Sequence, residues 1–80
     1  MSQAVNMSLS AVMSAQQQLQ KVQISKDCAL NLLAQFVTYG EREESQDRLR
    51  IVIKQLKLVE ADICDTLGFT EAAVKLRGSL

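Results

Sequence analysis

Two apolar stripes, separated by Gly40, constrain the fold of this chain more than any other feature. In the second half, apolar side chains recur at alternating spacings of three and four, the seven-residue pattern of helices that pack side by side. This period predicts helix 2 over residues 43–67. The stripe consists of Leu49, Val52, Leu56, Val59, Ile63 and Thr66 or Leu67, with Ile53 thickening it.

Glycine marks the end of both predicted helices. Gly68 follows the last residue of the second stripe, where a left-handed C-cap favours glycine, and Phe69 beyond it can fold back onto the stripe. Gly40 ends helix 1 at Tyr39 in the same way. Several carboxylates lie at the start of helix 2, where negative charges interact favourably with the positive end of the helix dipole. They are Glu41, Glu43, Glu44 and Asp47.

The first half keeps a seven-residue phase across nearly thirty positions, with a lapse at Lys26. A phase that is preserved through the lapse favours one long helix over residues 5–39. The competing interpretation breaks this helix at Ser25, a good N-cap residue that follows the β-branched Ile24. The stripe consists of Val12, Ala15, Leu19, Val22, Ala29, Leu33 and Phe36.

The connection after Gly40 is so short that the two helices are expected to lie antiparallel. A third segment, "TEAAVKLRG", predicts a short helix over residues 70–77 with Thr70 as its N-cap. The sequence therefore predicts one all-α domain over residues 1–80, an antiparallel helical hairpin with a short C-terminal helix. So short a chain buries only about 60 to 65% of the surface that its unfolded form exposes. We therefore expect oligomerisation to complete a bundle.

The stretch "LSAVMSAQQQLQKVQIS", residues 9–25, carries a single charge, Lys21. Small Ser and Ala, adaptable Met and uncharged Gln are typical of the centre of a protein interface. This stretch therefore predicts a surface that another chain covers, either a second copy in a two-fold four-helix bundle or a different protein. The alternative is an N-terminal tail that never orders. Candidate contact residues are Met7, Leu9, Val12, Met13, Gln16 and Leu19.

Histidine, the usual acid–base group at neutral pH and the commonest metal ligand, is missing. The chain has no His, and no Gly-rich loop that would hold a phosphate. Its carboxylates are neighbours on single helices, which is typical of a solvated face. We therefore expect a protein that is not an enzyme and has no cofactor, metal site or small-molecule substrate.

Two cysteines, Cys28 and Cys64, lie far apart in the predicted hairpin. At about 1.5 Å of rise per residue their sulfur atoms are roughly 15 Å apart, too far for a disulfide. We expect two reduced, buried thiols, which fit a cytoplasmic location. Nine basic and nine acidic residues, no signal peptide and no membrane-spanning stretch agree with a soluble chain.

A basic row on helix 2 supports a second hypothesis. Arg50, Lys54 and Lys57 fall on one helical face, with Arg48 nearby. Ordinary surface pairs with Asp47 and Glu60 explain the row without a ligand. As a functional feature, it predicts contact with the phosphates of a nucleic acid, which a dimer would duplicate.

The segment "ADICDTL", residues 61–67, resembles a short piece of the Rop family. Rop proteins are small hairpins that dimerise into a four-helix bundle and bind paired RNA loops. The resemblance covers seven residues, and the RNA-contacting face of that family does not map onto this chain. We expect a small adaptor, inhibitor or chaperone-like subunit, with a nucleic-acid-binding regulator or a subunit of a filament or secretion apparatus as alternatives.

Overall fold

A computed structural model describes residues 8–80, and this part of the chain is all-helical, as predicted. Its helices are α1 (Leu9–Thr38), α2 (Glu43–Thr66) and α3 (Thr70–Gly78). α1 packs against α2, and α2 packs against α3. The predicted start of helix 1 at residue 5 and the predicted contact residue Met7 lie outside the described residues.

α1 runs without a break through Ser25. The Ser25 hydroxyl donates a hydrogen bond to the Lys21 carbonyl, 2.9 Å away, and so acts inside the helix rather than as a cap. The N-cap of α1 is Ser8, whose side-chain oxygen accepts a hydrogen bond from the Ala11 N–H at 3.1 Å. The interpretation of a helix broken at Ser25 is therefore wrong.

Both long helices end in a Schellman motif, in which glycine adopts the left-handed conformation. Gly40 has a φ of 67° and Gly68 a φ of 84°. After α2, the Phe69 N–H donates to the Cys64 carbonyl at 2.7 Å, the bond that defines the motif. The motif leads directly into α3, so that Phe69 occupies the N-cap position, and the predicted cap, Thr70, is already the first helical residue. The Phe69 side chain remains half exposed.

The predicted stripe of α1 is the side of this helix that is turned away from water. All seven of its apolar positions are half-buried or buried, and Lys26, at the lapse, is half-buried as well. The periodicity therefore predicts the orientation of α1 correctly, because one side of a long helix must cover its neighbour.

The stripe of α2 differs from the prediction by one position. Ile53 is buried and Glu60 is buried, whereas the predicted stripe residues Val52 and Val59 are 48% and 45% exposed. The apolar residues of α2 allow two overlapping seven-residue patterns, one through Val52 and one through Ile53. The residues of the second pattern are the ones that face α1, because this orientation turns Glu60 toward Lys26.

The buried residues are mostly small. At the junction of the three helices, Ala61, Cys64 and Ala73 form a buried cluster, and Leu19 and Leu76 pack against it. Among residues 8–80 no large side chain is completely buried. The described Cα atoms extend over 48 × 23 × 14 Å, so the molecule is thin in one direction. A thin body with a core of small side chains buries little apolar surface, and its stability is expected to be low.

Candidate protein-binding surface

The outer face of α1 is the side that points away from α2. We define it by Leu9, Met13, Gln16, Gln17, Gln20 and Ile24, all of which are exposed. Leu9 is 75% exposed, Met13 53% and Ile24 56%. Spacings of three and four place these residues along one side of the helix. A shallow depression of about 430 Å³, lined by Leu9, Ser10, Met13, Ser14 and Gln17, lies on this side.

Charge is nearly absent from the exposed surface of α1. The 30 residues of the helix contain three charged side chains, Lys21, Lys26 and Asp27. Lys26 is turned inward against Glu60, which leaves Lys21 and Asp27 at the surface. Covering this helix with another protein would therefore bury few charges, and the loss of charge hydration that usually opposes such contacts is small.

The structure divides the predicted contact residues into two sets. Leu9, Met13 and Gln16 are exposed, whereas Val12 and Leu19 are half-buried. Leu19 packs against the buried cluster of small residues, so it contributes to the packing between the helices. Sequence reasoning missed Ile24, Gln17 and Gln20, although a helical phase continued from Met13 would have found them.

The lapse in the stripe of α1 is explained by an ion pair between the two long helices. Lys26 Nζ lies 2.5 Å from Glu60 Oε1, and Gln23 Nε2 donates a hydrogen bond to Glu60 Oε2 at 3.3 Å. The side chain of Glu60 is 7% exposed and that of Lys26 is 17% exposed. Both carboxylate oxygens of Glu60 are thus satisfied by α1, which favours one alignment of the helices over its neighbours.

The expected surface pair of Glu60 with Lys57 is therefore wrong. Lys57 Nζ instead donates a hydrogen bond to the Ser79 carbonyl at 3.2 Å. The other expected pair is present, with Arg50 Nη1 lying 2.8 Å from Asp47 Oδ1.

Most of the basic row on α2 has a partner within the chain. Besides the contacts of Arg50 and Lys57, Arg48 Nη2 lies 2.9 Å from Glu44 Oε1. Lys54 is exposed, and between residues 8 and 80 no carboxylate pairs with it. Arg50, Lys54 and Lys57 line one shallow cavity of about 250 Å³, together with Ile53, Ser79 and Leu80.

The two cysteines are both free, but they differ in exposure. Cys64 is buried, whereas Cys28 is exposed, so the expectation of two buried thiols is wrong for Cys28. Cys28 lies one residue outside the stripe of α1, next to the buried Ala29. Burial, and then the charges of Glu60 and Asp65, raise the pKa of the Cys64 thiol above its usual value. Cys64 is therefore held in its unreactive, neutral form.

Arg77 connects α3 to α2. Its guanidinium lies 2.5 Å from Asp65 Oδ2 and 3.1 Å from Asp62 Oδ1. The hydrogen bond with Asp65, and then that with Asp62, raise the pKa of Arg77. In the part of the chain that the structure describes, no group of three His, Cys, Asp or Glu side chains is placed to hold a metal ion. None of the helices in residues 8–80 has the length and apolarity to cross a membrane.

These features define a small all-α protein with a neutral, partly apolar outer face on its longest helix. Comparison with protein-family models, with curated proteins and with solved structures finds no match to this chain.

Proposed function

We propose that this chain is a non-enzymatic protein–protein interaction module, an adaptor, inhibitor or chaperone-like subunit of the cytoplasm, that binds its partner through the outer face of α1. The observation that carries the proposal is the exposure of Leu9, Met13 and Ile24 on a helix with only two outward charges. Exposed apolar side chains surrounded by neutral polar ones are typical of surfaces that another protein covers.

In this proposal α1 and α2 form an antiparallel hairpin that presents the outer face. Two contacts support this arrangement. Leu19 packs against the cluster that contains Ala61 and Cys64 of α2, whereas Lys26, further along α1, meets Glu60, which comes earlier in α2. Contact positions that advance along one helix and retreat along the other indicate opposite directions.

The expected mode of binding is a helix that lies against an apolar groove or a second helix of the partner. Anchors at spacings of three and four are characteristic of this mode, and Leu9, Met13 and Ile24 are the apolar anchors of the outer face. Gln17 and Gln20 between them can exchange hydrogen bonds with water for hydrogen bonds with the partner. The partner surface is expected to be equally poor in charge.

The experiment compares Met13→Glu and Ile24→Glu with the control Val74→Glu. Val74 is an exposed apolar residue, 68% exposed, but it lies on α3. We expect each outer-face variant to weaken the complex with a partner identified by wild-type capture at least about tenfold, because a charge is buried there without a counter-charge. Affinity is measured by calorimetry with the purified partner.

The control should keep wild-type affinity, and circular dichroism should show that all three variants are folded. Unchanged affinity of both Met13→Glu and Ile24→Glu would contradict the proposal.

A second candidate function, binding of a nucleic-acid backbone, is favoured by the shared cavity of Arg50, Lys54 and Lys57. Its test is the double variant Lys54→Glu/Lys57→Glu. If a nucleic acid is the partner, this variant should abolish binding, and wild-type affinity should fall steeply with salt. A protein partner on the outer face of α1 should be retained by the same variant, so the two candidates give opposite results.

A further inference from the structure

α2 has a back face that α1 and α3 leave largely exposed. Arg48, Ile51, Val52, Gln55, Val59 and Asp62 are exposed on it, and Leu58 is half-buried. Ile51 is 59% exposed, Val52 48% and Val59 45%. The helix contacts α1 through residues such as Glu60 and α3 through residues such as Asp65. The back face is turned away from the α1 contact, and it presents a row of β-branched side chains to water.

The residues of the back face are arranged symmetrically about Gln55 in the sequence. Three positions to either side lie Val52 and Leu58, and four positions to either side lie Ile51 and Val59. Spacings of three and four keep all of them on one side of the helix. Seven positions from Gln55, two helical turns away, the residues are Arg48 and Asp62, which carry opposite charges.

We propose that the back face of α2 binds a second copy of this chain, with the two α2 helices antiparallel about a two-fold axis at Gln55. In such a pair, a residue that lies a given number of positions before Gln55 meets the residue at the same number of positions after it. Ile51 and Val52 then pack against the partner's Val59 and the partner's Leu58, and the same layer recurs on the other side of the axis.

The opposite charges at the two ends of the back face favour a second copy of this chain as the binding partner. At each end of the contact, Arg48 meets the partner's Asp62, so the two-fold axis produces two favourable pairs. A parallel arrangement would instead place like charges next to each other. Gln55 would meet its own copy on the axis, where an amide can both donate and accept a hydrogen bond.

Both end residues are available for this contact. The side chains of Arg48 and Asp62 are 77% and 78% exposed, and their present partners, Glu44 and Arg77, hold them in surface pairs that contribute little to stability. Arg77 keeps its contact with Asp65 when Asp62 turns to another chain.

The dimer does not rest on the proposed function, because it uses α2 and leaves the outer face of α1 free. From Arg48 to Asp62 the contact runs for about 21 Å at 1.5 Å per residue. A contact of four helical turns lies at the small end of stable interfaces, so we expect a dimer whose formation depends on protein concentration in the micromolar range.

The first experiment is sedimentation velocity on Arg48→Asp, on Asp62→Arg and on their equimolar mixture. Arg48→Asp makes both ends of the back face acidic, and Asp62→Arg makes both ends basic, so each variant alone should dimerise at least tenfold more weakly than the wild type. In the mixture the acidic ends of one variant face the basic ends of the other, and a heterodimer should form.

The second experiment is oxidation of Gln55→Cys in a Cys28→Ser background. A thiol on the axis lies next to its own copy, and we expect a covalent dimer to accumulate. Lys54→Cys in the same background is the matched control, because position 54 is exposed on α2 but lies about 100° around the helix from position 55. It should cross-link much more slowly.

Circular dichroism establishes that each variant is folded before its mass is interpreted. A wild-type chain that stays monomeric up to about 1 mM would overturn the proposal. So would a mixture of the two charge variants that forms no heterodimer, or equal cross-linking at positions 54 and 55.

Discussion

Lys26 shows how one residue decides the alignment of two helices. A lysine on the inward side of α1 would lose hydration without compensation, and Glu60 supplies the opposite charge across the contact. Gln23 satisfies the second carboxylate oxygen. The pair thus belongs to a polar network between the helices.

We predict that Lys26→Ala lowers the free energy of unfolding by about 2 to 4 kcal/mol, because it leaves the buried Glu60 carboxylate without a counter-charge. The double variant Lys26→Leu/Glu60→Leu should recover most of this loss, since two apolar side chains can replace a buried pair. Urea denaturation followed by circular dichroism measures both. Arg50→Ala, which breaks an exposed pair, is the control and should cost less than about 1 kcal/mol. A double variant as unstable as the single one would contradict this account.

The two thiols should react at very different rates. At pH 8 a water-soluble alkylating reagent is expected to modify the exposed Cys28 and to leave the buried Cys64 intact until the protein unfolds. Mass spectrometry after proteolysis measures the modification of each. Equal rates in the folded protein would show that the buried cluster around Cys64 opens readily.

The raised pKa of Cys64 also predicts a pH dependence of stability. The contribution of Cys64 to stability is fully present well below pH 9.0, the usual pKa of a thiol. At such pH the thiol is neutral in the folded and in the unfolded state. As the pH rises further, the unfolded chain ionises first, and stability falls. Cys64→Ala should flatten this decline in urea midpoints measured between pH 7 and pH 10.5.

At the scale of elements, the helix ends depend on glycine only where the backbone needs a positive φ. Gly40 and Gly68 meet this condition, and Gly78 does not. A Cβ at Gly40 would meet no atom within 4 Å, so an alanine there tests the backbone alone.

We predict that Gly40→Ala destabilises the protein by about 1 to 2 kcal/mol, because an L-residue is strained in the left-handed conformation. Gly78→Ala is the matched control, since it also meets no atom within 4 Å but has no positive φ. It should be neutral or slightly stabilising. Thermal unfolding measures both, and equal destabilisation would contradict the role given to Gly40.

The attachment of α3 is expected to depend on Arg77, which binds two aspartates of α2. Arg77→Met should speed amide hydrogen exchange over residues 70–78 while exchange in the middle of α1 stays unchanged. Lys75→Met, on the same helix, is the control and should leave exchange near wild type. If the two variants exchange alike, α3 is held by Ala73 and Leu76 rather than by Arg77.

At the scale of the whole molecule, residues 8–80 form a thin body whose buried residues are mostly small, and the two apolar surfaces described above stay exposed on it. One is the outer face of α1, and the other is the back face of α2. Ala61 and Ala73 are completely buried, but such small side chains bury little apolar area. The stability of the chain is therefore expected to depend on what covers these surfaces.

We predict that the melting temperature rises with protein concentration, because dimer formation stabilises only the folded state. Differential scanning calorimetry between about 5 and 500 μM measures the rise. Arg48→Asp should shift this rise to protein concentrations at least about tenfold higher, whereas Arg50→Asp, on another side of α2, should leave it unchanged. A melting temperature that is constant over this range would indicate a self-sufficient monomer.

The outer face of α1 could be predicted only in part. The lack of charge over residues 9–20 is visible in the sequence, and of the predicted contact residues Leu9, Met13 and Gln16 are exposed. Val12 and Leu19 share the same composition but face inward, because a helix divides its residues between two sides. Which side meets the rest of the molecule is not apparent until the neighbouring helix is in place.

The sequence by itself determined the three helices, the glycine at the ends of α1 and α2, and the inward stripe of α1, because periodicity and turn residues act over a few positions. Only the tertiary structure decided which of two overlapping patterns on α2 faces α1, and with it the exposure of Val52 and Val59. The physical reason is the contact of Lys26 with Glu60, 34 residues apart in the chain, which no local pattern encodes.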